Sequence, residues 1–278
     1  MIAAMPALLE EMCSLASRLA VEAGAIALDR CTTRVVSRKQ DHSVVTDVDH
    51  AVQSHLLSAI ASAFPDHGIW AEEKLLRSGV HADPADATYV WAVDPIDGTR
   101  NYVAGFPVFA TSIGVLDHGL PVVGVIREHR TGDPYAARTG GGATCNGRPI
   151  RVRETAEHGD LLLGIASGKD ALTVSVVQHW AAQPGYVLRN TGSTAVNMAL
   201  VAAGCLAGAF GKRVKLWDIA AGSVLVREAG GTVTDPFGES LVPFSLEADH
   251  CANVPYLASA PGIHSRLVES IRCATRAD

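Results

Sequence analysis

The sequence has no long run of residues of one kind, and this lack excludes several classes of protein. Of its 278 residues, 23 are Lys or Arg and 29 are Asp or Glu, which gives a formal net charge of −6 without a long basic cluster. General nucleic-acid binding is therefore not expected. No apolar stretch reaches the ~20 residues that cross a bilayer, because the segment 192–210 is interrupted by Ser, Thr, Asn and glycines. We expect neither a nucleic acid nor a membrane as a partner.

Cysteine is scarce and scattered in the chain. No CxxC pair or Cys/His metal-binding spacing occurs, so neither a disulfide scaffold nor a zinc site is expected. The N-terminal segment lacks basic residues and reaches Glu10 and Glu11 too early for a secretory signal. These features predict a cytoplasmic protein in a reducing compartment. The six cysteines are Cys13, Cys31, Cys145, Cys205, Cys251 and Cys273.

Hydrophobic periodicity predicts two helices, then antiparallel strands, then alternating strands and helices. Apolar residues recur at helical spacing over 7–30, and again from Thr46 to the residue before Pro65. Turn residues at 117–119 and at 140–142 separate strand-like runs. The predicted strands are 89–93, 108–116, 121–126, 161–166, 185–189, 232–234 and 254–258, and the later helices are 193–207, 218–229 and 262–275.

This order of elements indicates the fold class. Two helices precede the first strand, which argues against a Rossmann fold, and the glycines at 140–142 lack the strand–turn–helix context of a nucleotide-binding loop. Helices, an antiparallel meander and then alternating strands and helices are typical of an α+β fold with mixed sheets. We expect two lobes that meet near residue 150, an N-terminal α+β lobe over 1–148 and a C-terminal α/β lobe over 149–278.

The segment WAVDPIDGT at 91–99 carries the clearest chemical signal. A hydrophobic strand leads directly into Asp94 and Asp97, Pro95 stiffens the chain between them, and Gly98 permits close backbone approach. Carboxylates attract Mg²⁺, and free amides after the glycine can hold a phosphate. The segment can therefore form a metal–phosphate site, or it can be an Asp-rich turn that caps a helix.

Further acids stand at the ends of predicted elements. Glu72 and Glu73 follow an apolar, strand-like pair, Asp218 opens the predicted helix 218–229, and Asp49 lies in the first turn of the second helix. Acids favour first helical turns on dipole grounds, so each one alone is better explained as a cap or a solvated charge. Together with the two aspartates above, they strengthen the metal hypothesis.

Five strings in the sequence resemble the motifs of a known family. They are TDVDHAVQSHL at 46–56, WAEE at 70–73, WAVDPIDGTRNYVAGFPVFATSIGV at 91–115, GSTAVNMALVAAG at 192–204 and WDIAAGSVLVREAGG at 217–231. In this order they resemble the inositol monophosphatase family of Mg²⁺-dependent, lithium-sensitive phosphatases, over residues 40–260. The resemblance implies an inositol-monophosphatase-like layered αβαβα sandwich and a homodimer.

The resemblance also implies a role for each candidate residue of the metal site. Most metal ligands would come from the N-terminal lobe, and hard oxygen ligands of this kind suit Mg²⁺. Thr99 and Glu72, with Asp49, would orient and deprotonate the attacking water, while the amides of Gly98 and Thr99 would bind the phosphate. The ligands of two or three Mg²⁺ ions would be Glu72, Asp94, Asp97, Asp218 and the backbone carbonyl of Ile96.

Substrate contacts involve positions at which the chain departs from the family pattern. By similarity, Asp97, Gly192 and Thr194 would contact the substrate, whereas Gln53 replaces a common glutamate. Gly211 replaces an acid that accepts hydrogen bonds from inositol hydroxyls, and three cations follow it. Loss of an acid and gain of cations favour a second anionic group on the substrate, unless the cations only form a solvated loop or a dimer contact. The three cations are Lys212, Arg213 and Lys215.

The sequence therefore predicts a Mg²⁺-dependent phosphomonoesterase that hydrolyses a small phosphorylated polyol or sugar, such as inositol 1-phosphate. Within this class, one alternative is a phosphatase for a doubly anionic substrate, fructose 1,6-bisphosphate or a 3′-phosphonucleotide. A histidinol-phosphatase is another, although the added cations disfavour a cationic leaving group. Outside the class, the alternative is a non-catalytic protein that binds a phosphorylated metabolite, and Mg²⁺-dependent turnover distinguishes the two.

Overall fold

The computed structural model describes residues 4–38, 43–73, 84, 86–153, 160–246 and 253–276. The helices within these ranges are α1 (Ala4–Asp29), α2 (Asp47–Ala63), α3 (Thr99–Ala104), α4 (Ala171–Ala181), α5 (Thr194–Ala202), α6 (Leu216–Glu228) and α7 (Pro261–Arg276). The strands are β1 (Val36–Arg38), β2 (Val44–Thr46), β3 (Gly68–Ala71), β4 (Tyr89–Asp97), β5 (Ala110–Asp117), β6 (Leu120–Glu128), β7 (Pro134–Arg138), β8 (Gly142–Cys145), β9 (Arg148–Pro149), β10 (Leu161–Ile165), β11 (Tyr186–Arg189), β12 (Gly208–Gly211), β13 (Thr232–Thr234) and β14 (Tyr256–Ser259).

The strands form two mixed sheets and one small hairpin. A seven-stranded sheet has the order β3-β4-β5-β6-β7-β8-β9, in which β3 runs parallel to β4 and all other neighbours are antiparallel. A five-stranded sheet has the order β11-β10-β12-β14-β13, with β10 parallel to β11 and to β12. Strands β1 and β2 pair only with each other. The mixed sheets predicted from the order of elements are confirmed.

The sheets and helices stack in five layers. Helices α1 and α2 pack on one face of the seven-stranded sheet, and α5 and α6 lie between the two sheets. Helices α4 and α7 cover the outer face of the five-stranded sheet. Two hydrophobic cores fill the spaces between these layers. This arrangement is the layered αβαβα sandwich that the resemblance implied.

Glycines in the seven-stranded sheet allow α6 to lie close against it. A Cβ added at Gly114 would lie 2.7 Å from the Cβ of Ala220, and one at Gly124 would lie 2.2 Å from the carbonyl oxygen of Ala221. Contacts this short are excluded, so only glycine fits at these two strand positions. Because Asp218 lies at the start of α6, this close packing carries it toward the carboxyl end of β4.

Several elements differ from the sequence-based expectation. The helix predicted over 193–207 ends at Ala202, because Gly204 adopts a positive φ of 72° and the chain then enters β12. Asp218 is the third residue of α6 and not its first. Helix α4 was not predicted, although Asp170 caps it through a hydrogen bond from the Thr173 amide. Strands β1, β7 and β12 were not predicted either.

Two other expectations concern the chain as a whole. The division into lobes at 148/149 stays a prediction, since α6 from the second part packs on the sheet of the first. Five cysteines are free thiols, and Cys251 lies outside the described residues. In the part of the chain that the structure describes, no helix is both long and apolar enough to cross a membrane.

Candidate active site

A bulge in β4 brings Asp94 and Asp97 to the same face of the sheet. Residues three apart in a regular strand point to opposite faces. Here Asp94 pairs with Ser112 and Asp97 pairs with Ala110, which are only two residues apart on β5, so β4 contains one extra residue. The extra residue restores a common orientation for both carboxylates. Because of the bulge, two acids three residues apart can face the same site.

The carboxyl group of Asp94 is buried, and one of its two oxygens has no hydrogen-bond partner. The residue is 2% exposed, and its Oδ1 atom makes no hydrogen bond. Burial raises its pKa well above the ordinary value, and the charges of Glu72, Asp97 and Asp218 raise it further. A buried, unpaired acceptor among other acids is unfavourable unless a cation is present. The position is therefore suited to a metal ligand.

Asp97 links the bulge of β4 to the beginning of α5. Its Oδ2 atom accepts hydrogen bonds from the Ser193 hydroxyl at 2.6 Å and from the Ala195 amide at 2.5 Å, at the beginning of α5. Burial raises the pKa of Asp97 to about 6 although these hydrogen bonds oppose the shift, and the charge of Glu72 adds to it. Asp97 thus joins residues that lie almost 100 positions apart in the sequence.

Asp218 approaches the same place from α6. Its Oδ2 atom accepts a hydrogen bond from the Lys215 amide at 2.8 Å, which fixes the start of the helix. Burial of its carboxyl group raises the pKa well above the ordinary value, and the charges of Asp97 and Glu72 act in the same direction. These mutual effects indicate that Glu72, Asp94, Asp97 and Asp218 lie near one another, while their role as metal ligands stays a prediction.

Glu72 is held at the end of β3 by backbone hydrogen bonds and by Gln53. The Glu72 amide donates to the Val93 carbonyl at 3.2 Å. The Gln53 side chain, which is fully buried, accepts from the Glu73 amide at 2.8 Å and donates to the Glu73 carbonyl at 2.5 Å. Gln53, which stands where the family pattern commonly has a glutamate, is a neutral amide that holds the backbone next to Glu72.

Thr99 lies between Asp49 and the Ile96 carbonyl. Its hydroxyl is 3.2 Å from Asp49 Oδ1 and 3.0 Å from the Ile96 oxygen, and its single hydrogen can be donated to only one of them at a time. Asp49 is fully buried, its Oδ2 atom accepts from the amide and the hydroxyl of Thr46, and burial raises its pKa. Thr99 and Asp49 thus form a hydrogen-bonded pair near Glu72.

Gly98 begins α3 with a backbone conformation that favours glycine. Its φ is 94°, and an added Cβ would lie 3.1 Å from the Val108 carbonyl oxygen and 3.5 Å from that of Gly192. Asn101 Nδ2 donates to the carbonyls of Val108 and Thr191, at 2.7 and 2.8 Å. These contacts bring Gly98 and Thr99 next to Gly192 and the first turn of α5, which contains Thr194.

The three cations predicted to bind substrate follow β12. Lys212 and Lys215 are half-buried, whereas Arg213 is exposed. Burial raises the pKa of Asp170, but hydrogen bonds from the amide and the hydroxyl of Thr173 outweigh this effect, and the charge of Lys212 lowers the pKa slightly further. The negative charge of Asp170 therefore lies near Lys212. The amide of Lys215 is committed to Asp218, but its side chain is not involved in that bond.

Tyr256 occupies space that Gly211 leaves open. A Cβ added at Gly211 would lie 2.7 Å from Cε1 of Tyr256, which is the neighbour of Gly211 across the pair β12–β14. The Tyr256 hydroxyl is buried and makes no hydrogen bond. Burial raises its pKa, with further contributions from the charges of Asp97 and Asp218, so this hydroxyl is close to the acid cluster. The sequence contained no signal for this contact.

Sequence reasoning also missed residues that hold the site from a distance. Their residue types are common in any protein, and their partners lie far away along the chain, so no local pattern identifies them. The hydroxyl of Ser112 donates to the Trp217 carbonyl, next to Asp218, at 3.1 Å. The other missed contributors are Asn101, Thr111, Ser193 and Tyr256.

The sequence and the fold are similar to those of known proteins. The inositol monophosphatase family model matches residues 8–276. The inositol-1-monophosphatase ImpA of Mycolicibacterium smegmatis is 35% identical over 243 residues, which cover 84% of this chain and 82% of that protein. The fructose-1,6-bisphosphatase/inositol-1-monophosphatase of Aquifex aeolicus is 32% identical over 223 residues, which cover 77% and 82%. The structure of Thermotoga maritima IMPase TM1415 superimposes with a TM-score of 0.83 at 29% identity, over 96% of this chain and 99% of that chain.

Proposed function

The chain belongs to the inositol monophosphatase family of phosphoric monoester hydrolases, and on this premise we propose that it hydrolyses the phosphate ester of a small polyol or sugar with Mg²⁺. Inositol 1-phosphate is the representative substrate. The observation that carries the proposal is the proximity of four carboxylates, of which those of Asp94 and Asp97 belong to buried residues. Burial and the charges of the neighbouring acids raise the pKa values of Asp94 and Asp218. A bound cation would relieve such crowding of ionised carboxylates.

The donor set of this site fits Mg²⁺. All candidate ligands are oxygens, and Asp94 Oδ1 is a buried acceptor without a protein partner. Within the described ranges, no group of three or more His, Cys, Asp or Glu side chains has the spacing of ligands around a single ion. We assign the carboxylates to two or three ions that share them, with the Ile96 carbonyl as a further ligand. The assigned side chains are Glu72, Asp94, Asp97 and Asp218.

The chain's own residues would then act on water and phosphate. Thr99, with Asp49 behind it and Glu72 beside it, orients the attacking water and accepts its proton. The amides of Gly98 and Thr99 bind the phosphate oxygens at the start of α3. Bound Mg²⁺ would supply positive charge to the phosphate oxygens and lower the pKa of water. Catalysis of this kind depends on positioning and electrostatic stabilisation, and needs no covalent phosphoenzyme.

The two candidate substrate classes differ in whether the substrate carries a second anionic group. Lys212, Arg213 and Lys215 favour an additional anionic group, and the Aquifex aeolicus relative is named for both a bisphosphate and a monophosphate. The negative charge of Asp170 near Lys212 weakens this case. We therefore propose the polyol monophosphate as substrate, with a doubly anionic phosphate as the second candidate. Asp97, Gly192 and Thr194 would contact the alcohol part in either case.

Phosphate release from a small panel of esters tests the proposal. The panel comprises inositol 1-phosphate, fructose 1,6-bisphosphate, 3′-phosphoadenosine 5′-phosphate and histidinol phosphate, each with Mg²⁺ and with EDTA. We expect fastest release from inositol 1-phosphate and none in EDTA. A higher kcat/KM for the two doubly anionic compounds, lost in Lys212→Ala and Lys215→Ala but not in Lys169→Ala, would favour the second candidate. Release unaffected by EDTA would refute the Mg²⁺ assignment.

The assembly and location predicted from the sequence are separate proposals. The homodimer is tested by light scattering coupled to size-exclusion chromatography, in which a mass near twice the 29.1 kDa of the chain is expected. A mass equal to one chain would refute it. The proposal of a cytoplasmic location rests on cysteine usage, and cell fractionation tests it.

A further inference from the structure

A buried pair of side chains supports the bulge of β4 from the face opposite the acid cluster. Thr111 on β5 is fully buried, and His129, which directly follows β6, is 2% exposed. The Thr111 hydroxyl lies 2.8 Å from the Pro95 carbonyl oxygen and 2.9 Å from Nε2 of His129. Neither side chain belongs to the cluster of candidate ligands. Thr111 nevertheless contacts the Pro95 carbonyl directly, and His129 is connected to it through the Thr111 hydroxyl.

The directions of these hydrogen bonds follow from chemistry. The Pro95 carbonyl can only accept, so the Thr111 hydroxyl donates to it. The hydroxyl oxygen then accepts from His129, which must carry its hydrogen on Nε2. Burial lowers the pKa of His129 to about 3, and the charge of Arg127 adds to this effect, so the ring is neutral. The pair thus forms a one-way chain of donors that ends on the Pro95 carbonyl.

A glycine on α1 makes room for the imidazole. A Cβ added at Gly24 would lie 2.6 Å from Nδ1 of His129, a distance that no side chain can adopt. The amide of His129 donates to the Phe109 carbonyl at 3.1 Å, which fixes the backbone next to the ring. The ring is therefore held from α1 and from the residue before β5, and it has one possible orientation toward Thr111.

The bulge leaves its own carbonyls without regular partners in the sheet. The register of β4 against β5 shifts between Asp94 and Asp97, so Pro95 and Ile96 have no paired residue. Within the bulge, the two consecutive carbonyls contact different hydroxyls. The Pro95 carbonyl accepts from Thr111, whereas the Ile96 carbonyl lies 3.0 Å from the hydroxyl of Thr99.

We propose that Thr111 and His129 are positioning residues, which hold the Pro95 carbonyl toward β5 and thereby present the Ile96 carbonyl to the Mg²⁺ site. The inference rests on the proposed function, because it assumes that the Ile96 carbonyl is a metal ligand. Neither residue touches substrate or metal. Their effect is on metal affinity and on kcat, while substrate binding is largely retained.

Isosteric variants of Thr111 separate positioning from simple stability. Thr111→Val keeps the shape and removes the hydroxyl, whereas Thr111→Ser keeps the hydroxyl. Mn²⁺, which accepts the same oxygen ligands as Mg²⁺, is titrated into the full-length protein and the free ion is followed by electron paramagnetic resonance. Loss of one buried hydrogen bond corresponds to about tenfold weaker binding. We expect that loss in Thr111→Val, a lower kcat with little change in KM, and recovery in Thr111→Ser.

A matched control removes a buried hydroxyl elsewhere. Ser223 on α6 is 1% exposed and donates to the Ile219 carbonyl at 2.8 Å. Ser223→Ala should lower the melting temperature without changing Mn²⁺ affinity. His129→Leu and His129→Gln form a second pair, because the glutamine amide can still donate near the position of Nε2. This pair provides the test if Thr111→Val does not fold, and weaker binding is expected only for the leucine variant.

The outcomes distinguish the inference from the function on which it rests. Wild-type Mn²⁺ affinity in Thr111→Val, or in a folded His129→Leu, with only a lower melting temperature as in Ser223→Ala, would refute the positioning role. Equal loss in Thr111→Ser and Thr111→Val would also refute it, because the hydroxyl would then be irrelevant. Absence of Mg²⁺-dependent phosphate release by the wild-type protein would instead overturn the proposed function, and the inference with it.

Discussion

Replacing Asp97 by asparagine should stabilise the metal-free protein while it removes activity. The substituted amide would retain an oxygen for the hydrogen bonds from Ser193 and Ala195, but it would lack the charge that repels the other acids. The pKa of Asp97 is about 6 in the folded protein against an ordinary value of 3.8. A difference of about two pH units corresponds to about 3 kcal/mol against folding of the ionised form. We expect Asp97→Asn to raise the free energy of unfolding by about 1–3 kcal/mol at pH 8 in EDTA.

The pH dependence of this gain follows from the sign of the shift. Above pH 6 the carboxyl is ionised in the folded and the unfolded chain, so the full penalty applies to the wild-type protein. As the pH falls from 6 to 3.8, the folded state takes up its proton first and the penalty declines. The gain from Asp97→Asn should therefore be about half as large at pH 5 and vanish below pH 4.

Urea denaturation in EDTA at pH 8 and pH 5 measures the effect, with Asp86→Asn as the control. Asp86 is exposed, so its replacement should change stability by less than about 0.5 kcal/mol. Saturating Mg²⁺ should reverse the order, because only the wild-type protein has the complete ligand set. A variant less stable than the wild-type protein in EDTA at pH 8 would refute the idea that the charge of Asp97, which is buried and lies near Glu72, destabilises the metal-free protein.

The remaining predictions concern activity, metal affinity and packing. Asp218→Asn should lower kcat by at least about 100-fold with an unchanged circular dichroism spectrum, and wild-type turnover would remove its metal role. Apparent Mg²⁺ affinity in a thermal-shift titration should fall as the pH drops through about 6, because protons compete for Asp97; constant affinity from pH 8 to pH 5 would contradict this. Gln53→Leu removes both hydrogen bonds to the Glu73 backbone, so two buried backbone groups lose their partners. We expect the free energy of unfolding, measured by urea denaturation, to fall by about 2–4 kcal/mol. A decrease below about 0.5 kcal/mol would show that these hydrogen bonds are dispensable. Gly124→Ala should destabilise the protein by about 1–3 kcal/mol because the new Cβ overlaps Ala221, and unchanged stability would mean that α6 can move away.

Local signals predicted much of the fold, and the resemblance to a known family supplied the set of candidate ligands. The hydrophobic strand that ends in Asp94 and Asp97 was recognisable, and so was the cap of α2 at Thr46. The three strands predicted over 89–126 correspond to β4, β5 and β6, the central part of the seven-stranded sheet, whereas β7 was not predicted. Helix α4 was missed even though Asp170 and Thr173 form a capping pair, because the segment before it carries no clear periodic pattern.

The geometry of the site could not be predicted, because it depends on contacts between distant parts of the chain. The bulge in β4 exists only through its register with β5, so the shared orientation of Asp94 and Asp97 was not visible in their spacing. The bond from Ser193 to Asp97 joins the beginning of α5 to the end of β4, which are far apart in the sequence. Tyr256 was predicted as an ordinary strand residue, although its ring fills the space that Gly211 leaves.

Crystals soaked in Mn²⁺ offer the most direct test of the central claim, that these four carboxylates form the metal site of a phosphatase. Anomalous difference maps locate Mn²⁺ without assumptions about its ligands. We predict two or three peaks among Glu72, Asp94, Asp97 and Asp218, with the Ile96 carbonyl within coordination distance of one of them. Peaks confined to other parts of the molecule, in protein that hydrolyses inositol 1-phosphate with Mn²⁺, would contradict the claim.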